Sequence, residues 1–178
     1  RMLGFDTVFD TSFSADLTVI EEANELLYKL KNGEQKYPLG NSLPLFTSCC
    51  PAWVRFVETK YPELLPYVST CKSPMEMFGA VLKEYYKPAD EEAGMETVSV
   101  AVMPCVAKKH EAAREEFKRN EVPDVDYVIT TKELILMIKE LGIQFDEIEP
   151  SAPDMPFSIN SGAGVIFGVT GGVMEAAL

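Results

Sequence analysis

The sequence predicts an α/β fold, a parallel β-sheet flanked by helices, and three observations lead there. The run TVSVAVM at 97–103 is apolar and β-branched, as a strand buried on both faces of a parallel sheet must be. Segments that read as strands alternate along the chain with segments of helical periodicity, the pattern of parallel strands joined by crossover helices. Two cysteine-bearing motifs, at Cys49-Cys50 and at Cys105, each fall on a turn from a strand into a helix.

Taken in order, residues 3–10 alternate apolar and polar side chains and predict a first strand. A helix is expected next. Thr18 with Glu21 three residues on forms a capping box, Val19, Ala23, Leu26, Leu27 and Leu30 make the apolar stripe, and Asn32-Gly33 ends it. Residues 43–47 are short and apolar, and Ser48-Cys49-Cys50-Pro51 turns into a helix over 52–59. Pro51 suits the first helical position, where no amide donor is needed. Beyond Pro62 and Pro66, Ser73-Pro74 starts a helix reaching about residue 86. After the strand at 97–103 come a helix over 108–119, a strand over 127–130 and a helix over 131–141 with Glu133 in its first turn. The stretch SGAGVIFGVTGG at 161–172 permits close backbone approach. Residues 173–178 then begin a helix with neither cap nor glycine at its end, so 1–178 reads as a partial domain, a fragment or one subunit of a split protein.

A chain of 178 residues, 47% hydrophobic, suits one domain or one lobe of a larger one. Its formal charge of -12, with scattered Lys and Arg, argues against nucleic acid as a partner and suits docking to a basic electron carrier. No apolar run approaches the roughly 20 residues that span a bilayer, and the start lacks the apolar stretch of a signal peptide. The expectation is a cytoplasmic protein. Its four cysteines then read as thiols, metal ligands or redox groups rather than a disulfide framework. Adjacent Cys49 and Cys50 have the wrong geometry to bridge each other.

The two motifs are TSCCPAW at 47–53 and MPCVAKKHE at 103–111. Each puts a cysteine at the C-terminal end of a parallel strand and beside a helix N-terminus, where open α/β sheets bind ligands and where thiolate is favoured over thiol. Two such thiolates could hold one side of an iron-sulfur cluster, which takes four. Buried thiols with no chemical role fit the same spacing. No CxxC pair is present to make a zinc ribbon. On the first helix Glu22, Glu25 and Lys29 share one side, and by spacing alone they are a solvated face with intrahelical ion pairs.

TSCCPAWVRF, KSPMEMFGAVLKEYY, MPCVAKKHE, DYVITTKEL and SGAGVIFGVTGGVMEAAL together closely resemble the catalytic domain of iron-iron hydrogenases, and the resemblance runs the length of the chain. It implies one lobe of a two-lobed catalytic domain that reversibly reduces protons to H2 at an H-cluster, a 4Fe-4S cubane joined to a diiron site carrying carbon monoxide, cyanide and an azadithiolate. Cys50 and Cys105 are then cubane ligands. The family's third cysteine motif, which supplies the other two, is absent from 1–178, so the remainder of the domain or a second subunit is expected to complete the site. The resemblance makes Cys49 the proton-shuttling thiol and Glu22, Ser69, Glu25 and Lys29 the relay behind it. Lys29 stands where the family has arginine, keeping the charge but losing the planar fork. Lys108 is implied as the hydrogen-bond donor to a cyanide ligand, with Met103, Pro104, Ser73, Pro74, Phe167 and Gly168 lining the diiron pocket and Glu111 orienting its helix. H2, protons and an electron carrier such as ferredoxin are the implied partners.

His110, Lys109 and Trp53 read as solvent-facing, surface and packing residues, and Cys71 as a small buried one. Two other readings belong to the same family: an iron-sulfur assembly or sensory protein of hydrogenase type, and an inactive apo fragment without the diiron site. Assembly and sensory members generally lack the shuttle cysteine, so Cys49 with Glu22 and Glu25 argues against them.

Overall fold

Helices far outweigh strands in the computed structural model, which describes residues 1–32 and 43–178. In order the elements are α1 (Ser12–Asn32), α2 (Pro51–Lys60), α3 (Pro74–Ala93), β1 (Val100–Met103), α4 (Ala107–Ala112), β2 (Lys118–Arg119), β3 (Val122–Pro123), β4 (Tyr127–Thr130), α5 (Thr131–Glu140), α6 (Gly162–Ile166) and α7 (Gly172–Ala177). The fold is α/β with parallel strands. Two units divide it: Arg1–Asp10 with Gly79–Ile159, and Thr11–Phe78 with Asn160–Leu178. No helix among the described residues is long and apolar enough to cross a membrane.

In the first unit β1 pairs in parallel with β4, Val100 opposite Tyr127 and Met103 opposite Thr130. β1 is shorter than the apolar run that predicts it. The Ser99 amide donates to Asp126 Oδ2 at 2.7 Å instead of joining a ladder, and Val98 and Val102 are exposed, so the strand is not buried on both faces. β4 and α5 match their expected bounds. Thr130 caps α5, accepting from the Glu133 amide while the Glu133 carboxylate accepts from the Thr130 amide, a complete capping box. The helix expected over 108–119 stops at Ala112. Arg114 leaves helical space at φ -74, ψ 140, and a 3-10 turn at Glu115–Phe117 leads into the antiparallel β2–β3 pair.

Residues 3–10 form no strand. Gly4 sits at φ 94, and the Val8 amide is satisfied by the Asp154 carboxylate at 2.7 Å rather than by a neighbouring strand. Phe157 packs edge-on to both Phe9 and Tyr85, and with Met103, Ala80 and Val125 it belongs to the buried apolar set of this unit. Gly79 admits the Asp124 carbonyl, whose oxygen would lie 2.3 Å from an added Cβ.

In the second unit α1 begins six residues before Thr18. Thr18 is therefore interior to the helix and not its cap: it is fully buried and its hydroxyl donates to Met77 Sδ at 3.3 Å. The buried face is also turned from the expected one. Ala15, Thr18, Val19, Glu22, Glu25 and Lys29 are buried, whereas Leu27 and Leu30 are 49% and 58% exposed. The helix end expected at Asn32-Gly33 lies in part outside the described residues. α6 and α7 pack on α1, and Gly164 lets the Ser12 carbonyl approach to 2.6 Å from where a Cβ would be. α2 opens with Pro51 at its first position. Trp53 packs between Phe46 and Phe56. α3 runs on to Ala93 through Pro88, whose ring removes one amide donor without stopping the helix.

Candidate functional site

The charged row on α1 meets its partners in residues 69–71. Lys29 Nζ lies 2.9 Å from Glu25 Oε1, with side chains 3% and 2% exposed. Glu25 Oε2 accepts from Ser69 Oγ at 2.9 Å, the Thr70 amide at 3.1 Å, Thr70 Oγ1 at 3.3 Å and Cys71 Sγ at 3.6 Å. Burial alone would raise the proton affinity of Glu25, but Lys29, Ser69 and the Thr70 amide outweigh it and hold the carboxyl below its ordinary value. One turn earlier, Glu22 is 1% exposed. Burial pushes its pKa up, the Ser48 amide and the Ser69 side chain pull it partly back, and the Glu25 charge adds to the rise. Among the described residues no donor meets either Glu22 oxygen at hydrogen-bond geometry. Two carboxyls on one helix face thus have opposed tendencies, Glu22 toward the acid and Glu25 toward the anion. Such pairs divide the labour of proton transfer.

This cluster is tied to the first cysteine turn. The Phe46 amide donates to the Tyr67 carbonyl at 2.8 Å and the Ser69 amide to the Phe46 carbonyl at 2.7 Å, while Ser48 Oγ donates to the Cys71 carbonyl at 2.6 Å. The segment entering Cys49 and Cys50 is thereby zipped to the segment carrying Ser69. Cys49 is half-buried and Cys50 exposed. Cys50 precedes α2 in extended backbone (φ -99, ψ 107) and its side chain does not cap the helix. Ser73 and Pro74 are buried at the start of α3, Phe167 is half-buried, and Gly168 is exposed between α6 and α7. Cys71 is only half-buried, and its thiol is pushed up to about 12, chiefly by burial. Sequence reasoning assigned Thr70 and Cys71 no part in the cluster; their adjacency to Ser69 was the signal available.

In the first unit the second motif leaves β1 at buried Met103 and turns through exposed Pro104 and Cys105 into α4. Lys108 Nζ pairs with Glu111 Oε2 at 2.7 Å, the carboxylate 4% and the lysine side chain 14% exposed. Lys109 is exposed and pairs with Glu133 at 2.6 Å, fastening α4 to α5. That pair, with the Thr130 cap, draws the Glu133 carboxyl down to about 2. His110 is exposed.

Exposure of Cys50 and Cys105 contradicts the reading of both as buried thiols. Soft cysteine sulfur suits iron as a ligand. Among the described residues no group of three or more His, Cys, Asp or Glu side chains is arranged to hold a metal ion, so neither cysteine turn is by itself a complete metal site.

Residues 1–178 match the family described as iron only hydrogenase large subunit, C-terminal domain. Over its whole length the chain is 50% identical to the NADP-reducing hydrogenase subunit HndD of Solidesulfovibrio fructosivorans, of which it spans 30%. It is 36% identical to Protein NAR1 of Arabidopsis thaliana, over 96% of this chain and 39% of that protein. A solved structure of apo FeFe-hydrogenase HydA1 from Chlamydomonas reinhardtii superposes with a TM-score of 0.80 at 48% identity, over 99% of this chain and 43% of that one. The chain therefore spans less than half of each of these proteins. It belongs to the iron-only hydrogenase large-subunit family, whose C-terminal domain it matches over residues 1–178.

Proposed function

We propose that this chain is part of the H-cluster domain of an iron-iron hydrogenase, a cytoplasmic enzyme that interconverts protons, electrons and H2. The observation that carries the reading is the buried row Glu22, Glu25 and Lys29, joined to Ser69 and tied through residues 46–48 to the Cys49 turn. A helix kept for stability alone would fill that face with Leu or Val. Cys50 and Cys105 would hold a 4Fe-4S cubane, alongside thiolates from the rest of the domain or a second subunit. When bound, the cluster with its diiron site supplies the electrons and the metal at which H2 is made or split.

The chain's own residues would handle the protons. A cysteine thiol, with an ordinary pKa of about 8.5, gains and loses a proton at small cost near neutrality, which suits Cys49 to the innermost step. Glu22, its proton affinity raised by burial, gives up a proton less readily than an ordinary surface carboxyl. Ser69 passes it by exchanging one hydrogen for another, and Glu25, paired with Lys29, receives it as an anion. Lys108, held by Glu111, would present its ammonium to a cyanide ligand. Met103, Pro104, Ser73, Pro74, Phe167 and Gly168 would exclude water from the diiron site. The acidic surface suits a basic docking face on an electron carrier such as ferredoxin.

The test is hydrogen evolution from reduced methyl viologen by the matured protein, with iron quantified in the same preparation. Cys49→Ala should abolish turnover with iron retained, and Cys50→Ala should lose the cubane iron. Fully loaded protein that evolves no hydrogen would overturn the reading and favour an iron-sulfur assembly role of the kind the similarity to NAR1 suggests.

A further inference from the structure

We infer that protons pass between solvent and Glu25 through a cleft beside α1, by way of the Thr70 hydroxyl, and that Lys29 holds the charge of Glu25 rather than carrying the proton outward. The inference rests on the relay proposed above. The Lys29 side chain is 3% exposed, so its ammonium offers no outlet. A cleft of about 480 Å³ instead reaches Glu25 itself, walled by Glu21, Asn24, Tyr28, Thr70 and Cys71, and Lys29 is not among its walls.

One carboxylate oxygen stands between two hydroxyls. Glu25 Oε2 accepts from buried Ser69 at 2.9 Å on the inner side and from exposed Thr70 at 3.3 Å on the cleft side. An inward proton crosses in a balanced exchange. The Thr70 oxygen takes a proton from cleft water as its own hydrogen passes to Glu25 Oε2, and the hydroxyl is left intact. The Cys71 thiol keeps its proton near neutrality, so it donates to Glu25 without competing as a base. Glu21, exposed at the mouth, adds a negative charge that favours protons there.

The test follows the carboxyl C=O stretch of Glu22 by infrared spectroscopy as the purified protein is moved into D2O, at a pH where Glu22 is protonated and with Glu22→Gln assigning the band. On the proposed relay deuterium reaches Glu22 by way of Glu25, so the rate reports the port. Thr70→Val should slow the exchange about a hundred-fold, the scale of a positioned proton-transfer group, and Thr70→Ser should restore it. Asn24→Trp, an exposed position on the cleft wall, should slow it by plugging the cleft. Lys29→Arg, which keeps the charge beside Glu25 but cannot give up its proton, should leave exchange running through the cleft. If Thr70→Val and Asn24→Trp both exchange at the native rate, or Lys29→Arg alone stops exchange, the port is refuted. No hydrogen turnover enters this readout. A protein that evolves no hydrogen but shows these exchange rates sinks the hydrogenase reading and leaves the port, whereas an active hydrogenase indifferent to Thr70→Val and Asn24→Trp sinks the port alone.

Discussion

Replacing Lys29 with Met tests whether the buried row on α1 is held together by its ion pair. Methionine keeps most of the apolar stem, so the change falls on the ammonium 2.9 Å from Glu25 Oε1. Removing one partner of a buried pair costs about 3–5 kcal/mol because the other charge is left behind. The donors that remain on Glu25 Oε2 put the expectation at the low end. A loss of about 3 kcal/mol is roughly 150-fold in the folding constant and about 6–12 °C in Tm. The pH profile gives the sharper signature. In the native protein Glu25 has a folded pKa below its unfolded one, so its stabilisation is present above the unfolded pKa and lost as pH falls through the folded value. Without Lys29 two of its lowering causes are gone while burial still raises it, so the folded pKa rises and the stabilisation above the unfolded pKa is lost. The deficit of Lys29→Met should therefore be largest at neutral pH and shrink toward about pH 4, near the ordinary glutamate value. Urea denaturation followed by circular dichroism across that range measures it, and Glu25→Gln added to Lys29→Met should recover most of the loss. A deficit under about 1 kcal/mol, or one that does not vary with pH, would show that the pair is not buried as described.

Four further outcomes are expected in the first unit. Glu111→Gln should lower stability to urea by about 1–2 kcal/mol, since the amide keeps a hydrogen bond to Lys108 but loses the charge. Carbon-detected NMR titration should find Glu133 ionised down to about pH 2, with Lys109→Met moving it back up toward the ordinary range, and Thr130→Ala should cost about 1 kcal/mol in denaturant stability through the lost cap. Gly79→Ala should cost about 3 kcal/mol or more, read from the denaturant midpoint, because the new Cβ would sit 2.3 Å from the Asp124 carbonyl oxygen and backbone has to give way; an unchanged midpoint would mean that the approach is looser than described.

What the sequence disclosed depended on how local the deciding interaction was. β4, α5 and the start of α2 are set within a few residues, by a β-branched run, by Thr130 with Glu133, and by Pro51, and all three were legible. Residues 3–10 and 108–119 failed because their patterns are overruled by particular backbone events, Gly4 and the Asp154 carboxylate in one case and the turn at Arg114 in the other. The α1 stripe failed for a deeper reason. Periodicity assumes that apolar residues turn inward, and here a carboxylate turns inward because its donor Ser69 is 44 residues away. Spacing alone grouped Glu22, Glu25 and Lys29 as a solvated face, only the resemblance to a family made them a relay, and neither gave a reason to look at Thr70 or Cys71.

That inversion has an energetic consequence at Glu22. Its carboxyl is 1% exposed and, among the described residues, meets no donor at hydrogen-bond geometry, so the nearby Ser48 amide and Ser69 side chain offset its desolvation only in part, whereas the donors on Glu25 outweigh burial there. A buried polar group in that state costs about 1–3 kcal/mol. Its folded pKa is raised, so the site is most tolerable below the unfolded pKa, where the carboxyl is neutral in both states, and stability is lost as pH rises through the folded value. Glu22→Leu should therefore raise resistance to urea by about 1–2 kcal/mol, with the gain larger well above the ordinary carboxylate range than within it. The same variant should lose hydrogen evolution in the matured protein, because nothing then links Ser69 to the Cys49 turn by an exchangeable proton. A more stable, inactive protein would mean that α1 gives up stability to keep an acid in place. A Glu22→Leu protein less stable than native at every pH would show instead that the carboxyl is a structural bond, and the relay would have to run elsewhere.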